Sequence, residues 1–321
     1  MRAFVTGGTG FVGGHLARKL RERGDDVVAL VRSPQKATQV RELGCEIVQG
    51  DLSDEDVIRK AVVGCDAVFH VAAMYEVGIP EAQQAAMYDA NVKGTERVID
   101  ATVEAGVPKM VYVSTIGVFG DTHGQTVDET FHREPTDFMS YYEETKYFAH
   151  ELAKDRVAKG APIVIVQPGG IYGPNDPSIL GIMMKFIRKG MLPVNIMPRA
   201  GFNWVYVEDV ADGIILAHER GKIGESYVLG GEIANLKDAI ARISRAAGRK
   251  PPRLTIPDGA LKLGLPFGRI VSRLTGLPSN MREMLRNVGA TFYASDAKAR
   301  AELGYSPRDL DTGLTQTLAA G

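Results

Sequence analysis

In the stretch SYYEETKYF, residues 140–148, Tyr142 stands four positions before Lys146, whereas Tyr141 has Thr145 at that spacing. Residues four apart share a helix face, so Tyr142 and Lys146 can point into one cleft while Tyr141 points elsewhere. A phenol beside an ammonium suits proton transfer to a carbonyl oxygen. Reduction of a carbonyl puts a hydride on carbon and a proton on oxygen; the reverse needs the phenol to lose its proton. A free tyrosine titrates at about 10, and an ammonium one turn away is expected to lower that value. The spacing alone is common, so the elements around it must decide.

Those elements alternate. The apolar runs AFVT, DVVALV, EIVQG, DAVFHVAA, KMVYVS and PIVIVQP are separated by helical patterns. Strands that read as continuous apolar runs are buried on both faces, which predicts a parallel sheet covered by helices. The first strand runs into FVTGGTGFVGGHLARKL, with Gly7, Gly10 and Gly13 at threefold spacing around Phe11 and Val12. A glycine permits the turn, a second lets backbone approach a pyrophosphate, and a third allows close helix packing under a helix N-terminus that attracts the anion. Gly8 and Gly14 read as incidental. Sites that prefer NAD usually end the second strand on a carboxylate; here Val31 holds that place and Arg32 and Ser33 follow. A guanidinium suits a 2′-phosphate, so NADP is the expected cofactor, with NAD the alternative.

The rhythm holds to Pro168 and then changes: PGGIYGPNDP, GMLPVNIMPRAG and RKPPRLTIPDG interrupt shorter elements. The expectation is a dinucleotide-binding domain over 1–168 and about 202–228, where NWVYVEDVADGIILAHER reads as a strand and helix returning to the sheet. A substrate-binding lobe would take 169–201 and 229–321. The chain has 321 residues and a net charge of −1 from 38 basic and 39 acidic residues, so no overall field favours nucleic acid or a membrane. Cys45 and Cys65 make no CxxC or disulfide framework, and MRAFVTGGTG begins directly on a strand without a signal core. No apolar run approaches the ~20 residues of a membrane helix. These features predict a cytoplasmic protein acting on a small molecule. The six histidines lack metal spacing, so no metal is expected, and His70 reads as a packed strand end.

Nearly the whole chain resembles the extended short-chain dehydrogenase/reductases, also called the NAD-dependent epimerase/dehydratase family. TGGTGFVG is similar to that family's TGxxGxxG turn. GDLSD resembles the segment whose aspartate, here Asp51 with Leu52 beside it, reaches the adenine. HVAA at 70–73 places Val71, Ala72 and Ala73 along the cofactor, and NVKGT supplies an asparagine, Asn91, that supports the active site. VSTIGVFG resembles the motif of the catalytic serine or threonine, which falls on Thr115 with Ser114 its neighbour. YEETK matches YxxxK, and PGGIYGP, with Pro168 and Ile171, the loop after the sixth strand. The resemblance implies an α/β fold: a Rossmann doubly wound parallel sheet with a smaller, mostly helical substrate-binding lobe. It also implies that Tyr142 is the acid, that Thr115 holds the carbonyl oxygen and that Lys146 contacts the nicotinamide ribose. The family often pairs through the helices carrying YxxxK, which makes a homodimer the implied partner, the oligomeric state otherwise staying open.

Members acting on nucleotide sugars often carry an arginine in R-D-F/Y-V/I-H-V. Here FNWVYVED puts Phe202 at the arginine, Asn203 at the aspartate and Trp204 at the aromatic. VRSP and PGGIYGP instead resemble the dihydroflavonol-reductase-like branch. The expected function is NADPH-dependent reduction of a ketone or aldehyde; the alternatives are a nucleotide-sugar epimerase or dehydratase that retains its cofactor, and a non-catalytic NADP-binding sensor. Pocket walls are expected from 74–88, 170–200 and residues after 255, with Met74, Tyr75, Met183, Met184 and Phe186 as either pocket lining or core.

Overall fold

The structure, a computed structural model, describes residues 1–263, 286 and 288–320. Seven strands form one parallel sheet in the order β10 (Ser226–Leu229), β6 (Ile163–Pro168), β5 (Met110–Val113), β4 (Ala67–His70), β1 (Arg2–Thr6), β2 (Asp26–Val31) and β3 (Glu46–Gln49). The helices that cover it are α1 (Phe11–Glu22), the short α2 (Thr38–Glu42), α3 (Glu55–Val62), α4 (Glu81–Tyr88), α5 (Gly94–Glu104), α6 (Tyr141–Ala158) and α8 (Val207–Arg220). Side chains alternate between two cores, as the pleat requires. Ala3 and Val5 face Leu16 and Leu20 of α1 and Ile214 of α8; Phe4, Val68 and Tyr112 face Ile58 of α3, Ile99 of α5 and Ala149 of α6. The sheet is doubly wound, and β1 lies between β4 and β2, where the strand order reverses. In such sheets the crevice at the carboxyl ends of the strands flanking that reversal takes the ligand.

The second lobe holds α7 (Ile179–Arg188), α9 (Leu236–Ala246), α10 (Asp258–Leu263) and α11 (Leu310–Ala319). Short strands join them: β9 (Gly201–Tyr206) pairs with β7 (Gly170–Tyr172), β11 (Glu232–Asn235) and β13 (Thr291–Phe292), while β8 (Val194–Asn195) pairs with β12 (Leu254–Thr255). The strand read from NWVYV therefore does not rejoin the parallel sheet; it centres this smaller one, and only its helix, α8, and β10 return. The cause is local. A Cβ at Gly169 would stand 2.4 Å from the Asn203 carbonyl oxygen, so the turn after β6 lies directly on β9. Asn203 then donates to Ala294 O at 2.7 Å and accepts from Ala294 N at 2.8 Å, fixing the 290s segment on the other side.

Met184 is buried with Tyr172 and Trp204, and Met183 packs against the same cluster, so these two methionines are core. The 121–140 segment straps the lobes together through Thr122 N to Thr291 O at 2.8 Å and Val127 N to Tyr293 O at 3.0 Å. Cys45 and Cys65 are free and buried. No helix among the described residues is long and apolar enough to cross a membrane, and no cluster of His, Cys, Asp and Glu there could hold a metal ion.

Candidate functional site

At the end of β1, Gly7 adopts φ +76°, where a side chain is strained. A Cβ there would sit 2.8 Å from Ala72 N, so the glycine turn closes against Val71 and Ala72 at the end of β4. Gly10 N bonds Gly7 O at 2.8 Å, and a Cβ at Gly13 would lie 2.1 Å from that same oxygen. Gly8 and Gly14 have only ordinary contacts, the nearest at 3.6 and 3.4 Å, in keeping with their incidental reading. Helix α1 has no side chain capping its N-terminus, and no acidic residue in its first turn. An uncapped helix N-terminus, held by Gly7 and Gly13 tight against the first strand's turn and the end of β4, suits a pyrophosphate. Gly13→Ala is accordingly expected to weaken dinucleotide binding at least ~100-fold and to destabilise the fold by about 1–3 kcal/mol, with Gly8→Ala near wild type in both; cofactor titration and thermal melts check this.

Arg32 is exposed just beyond β2, and its charge bears on Asp51 beyond the neighbouring strand β3. The Asp51 carboxyl is held below its ordinary value, first by hydrogen bonds from the Ser53 hydroxyl and N–H, then by Arg32 and Arg97. Leu52 packs against Gly94, where a Cβ would meet its own at 2.8 Å. Ala73 is exposed beyond Val71 and Ala72, and Pro168 and Ile171 flank the turn on which β9 rests.

The proton-handling groups meet at the same edge. Lys146 is buried, its Nζ donating to Val113 O at 3.0 Å and lying 3.4 Å from the Tyr112 hydroxyl. Burial pushes its ammonium down to about 7. Tyr142, on the first turn of α6, is half-buried, and the Tyr75 ring meets it edge-on with centroids 4.8 Å apart. Its phenol is raised, first by desolvation and then by Tyr75 and Tyr112. The lowering by Lys146 expected from the spacing is not seen: the groups that act on the Tyr142 phenol are its burial, Tyr75 and Tyr112, and all of them favour the protonated form.

Ser114 is buried against His150, Oγ to Nδ1 at 3.0 Å. Thr115 is half-buried; its Oγ1 accepts from Gly117 N at 3.1 Å, and its hydroxyl hydrogen has no acceptor among the described residues. Of the two, Thr115 therefore presents the usable hydroxyl. Asn91 lies in the π-helical turn Asp89–Lys93 that joins α4 to α5. Its Oδ1 accepts from Met74 N at 2.7 Å, and its Nδ2 donates to Met74 O at 3.0 Å and Thr145 Oγ1 at 2.9 Å. Thr145 donates on to Tyr142 O at 2.9 Å, so Asn91 ties the segment after β4 to the helix carrying Tyr142.

Behind them runs a line the sequence reading missed. Thr95 Oγ1 donates its one hydrogen to Asn91 O at 2.7 Å, so it accepts from His70 Nε2 at 3.0 Å. His70 Nδ1 then accepts from Thr6 Oγ1 at 2.8 Å, and Thr6 Oγ1 from Ala72 N at 3.2 Å. His70 is more than a packed strand end, and burial, with Lys146 adding, drops it to about 3, which keeps it neutral. The legible signal was Thr95 four residues after Asn91, the spacing of a hydroxyl back-bond in a helix. The wall is apolar: Phe202 stacks on Phe292 with centroids 5.6 Å apart, in a cluster that includes Ile116, the residue after Thr115. Met74 and Tyr75 reach the site, Phe186 is exposed on α7 and so is not core, and the lining expected after 255 falls partly on 264–285 and 287, outside the described residues.

A family model described as the NAD dependent epimerase/dehydratase family matches residues 3–230. A putative dihydroflavonol 4-reductase of Synechocystis sp. is 35% identical over 98% of this chain and 93% of its own length. A 4-hydroxy-2-methyl-3-oxo-4-farnesyl-3,4-dihydroquinoline-1-oxide ketoreductase of Stigmatella aurantiaca is 32% identical over 96% of this chain and 92% of its own. Among solved structures, gox2253 superimposes with a TM-score of 0.86 at 37% identity, covering 99% of this chain and 97% of that one.

Proposed function

Because the chain belongs to the NAD-dependent epimerase/dehydratase family and is an NAD(P)-dependent oxidoreductase of the extended short-chain type, we propose that it reduces a partly apolar ketone or aldehyde with NADPH. The observation that carries this reading is the hydroxyl hydrogen of Thr115, unused among the described residues, next to the apolar cluster of Ile116, Phe202 and Phe292, in which Phe202 stands where nucleotide-sugar enzymes often carry an arginine. The bound dinucleotide supplies the hydride. Tyr142 gives its proton to the carbonyl oxygen, and Thr115 holds that oxygen through the hydrogen its hydroxyl has free. Lys146, anchored at the end of β5, replenishes and orients, and Asn91 holds helix α6 in register with the β4 loop. Gly7, Gly10 and Gly13 with Phe11 and Val12 take the pyrophosphate, Asp51 and Leu52 the adenine side, and Val71 to Ala73, Pro168 and Ile171 the nicotinamide side.

The preference for NADPH rests on Arg32 beside a buried Val31. Arg32→Ala removes a charge-assisted contact of roughly 1.5–3 kcal/mol, about a 10- to 150-fold loss of NADPH affinity with NADH unchanged. Val31→Asp places a carboxylate against the phosphate and turns the preference towards NADH. Titration of both cofactors in one buffer tests this; an Arg32→Ala variant weakened equally for both would overturn the NADPH assignment. The reductase reading itself is tested by exchange: a reductase releases its dinucleotide each turnover, whereas an epimerase purified with tightly retained cofactor would contradict it. A homodimer paired through α6 belongs to the same proposal, supported by the exposed Phe148 and its ring neighbours Phe138 and Tyr147.

A further inference from the structure

Helix α7 is apolar on both sides. Gly181, Met184 and Ile187 face the core, yet Ile179, Ile182 and Phe186, at i, i+3 and i+7 on the opposite face, are 40, 43 and 37% exposed. Met191, just beyond the helix, and Leu254 of β12 are exposed by 57 and 70%. A helix packed on one side normally turns charged residues outwards.

The exposed charges that accompany this stripe are all of one sign; Asp176, before the helix, is buried and bonded to Ser178, with Lys185 acting on it from α7. Residues 177–207 and 239–257 contain no Asp or Glu. Lys185, Arg188 and Lys189 come from α7 and its end, and Arg249, Lys250 and Arg253 from the segment leading into β12; all six are exposed. The two segments are physically joined: Arg249 Nε donates to Arg188 O at 3.2 Å, and Val194 of β8 pairs with Leu254 of β12. Other cations nearby are neutralised, Arg199 by Asp258 and Arg242 by Glu232 and Asp311. Among the described residues the six have no ion-pair partner. A chain of net charge −1 thus concentrates unpaired positive charge around its exposed apolar stripe.

We propose that this face is an attachment surface for an anionic lipid bilayer. Ile179, Ile182, Phe186 and Met191 enter the acyl boundary while the lysines and arginines beside them meet lipid phosphates. This pairing is that of interfacial helices, in which apolar area and electrostatic attraction add. Charge complementarity selects the occupant: an apolar protein partner would not call for six unpaired cations, and nucleic acid would not call for four exposed aliphatic and aromatic side chains.

The test is cosedimentation of the cofactor-loaded protein with phosphatidylcholine vesicles and with vesicles containing phosphatidylglycerol. The variants are Ile182→Ser/Phe186→Ser and Lys250→Glu/Arg253→Glu. All four positions are exposed, so NADPH titration should show both variants folded. The expected result is binding to anionic vesicles roughly tenfold or more tighter than to neutral ones, and a loss of similar size in each variant. That binding should also fall in about 0.5 M salt, where the Debye length is under about 5 Å. No binding, equal binding to both vesicles, an unaffected variant of either kind, or capture of an RNA oligonucleotide in preference to vesicles would overturn the proposal.

Discussion

Tyr142→Phe is expected to lower turnover by about 10²–10⁴-fold, the usual range for removing a positioned acid, while NADPH affinity stays within a few fold. The ring that packs edge-on with Tyr75 remains, and the main-chain contact from Thr145 does not involve the hydroxyl. What is lost is the phenol proton of Tyr142, which burial keeps in place at neutral pH. Tyr141→Phe is the control. Tyr141 sits on the same turn, but its neighbours are Glu144 and Tyr88 on the outer side, so its loss should be mild. Steady-state rates of NADPH oxidation for the two variants decide it, and near wild-type turnover of Tyr142→Phe would remove the phenol from the chemistry.

Lys146→Met should cost turnover on the same scale and change stability with a sign that can be checked. In the folded chain Lys146 titrates at about 7, in the unfolded chain at about 10.4. Between those values the unfolded state binds the extra proton, so wild-type stability rises as pH climbs through that window, and the cost of the buried ammonium is fully present below it. Methionine carries no such cost. The variant should therefore gain on wild type by on the order of 3 kcal/mol at pH 6 relative to pH 10, whatever constant penalty follows from leaving Val113 O without its donor. Denaturant unfolding of both proteins at the two pH values measures that difference. A pH-independent difference would mean that Lys146 is charged throughout.

The contrast between these residues shows what the sequence carried. The i, i+4 spacing of Tyr142 and Lys146 and the threefold glycines lie within single elements, and such spacing survives folding unchanged. The sign of the Tyr142 shift does not, because it depends on how far Tyr75 and Tyr112, from other elements, cover the phenol. Asn91 was legible as a motif residue, but its partners Met74 and Thr145 are 17 and 54 positions away and meet it only through a π turn. The strand 201–206 was legible as a strand; its sheet was not. Its place beside β7 depends on Gly169 letting two backbones touch, which no hydrophobic period records.

The most direct test of the account follows deuterium from [4-2H]NADPH through reactions with apolar ketones and aldehydes and, separately, with nucleotide sugars. With both C4 hydrogens of the NADPH replaced by deuterium, the expected result is one deuterium on the new carbinol carbon for each NADPH oxidised, confined to the ketone and aldehyde substrates and lost in Tyr142→Phe. Interconversion of nucleotide sugars without net oxidation of NADPH would contradict it.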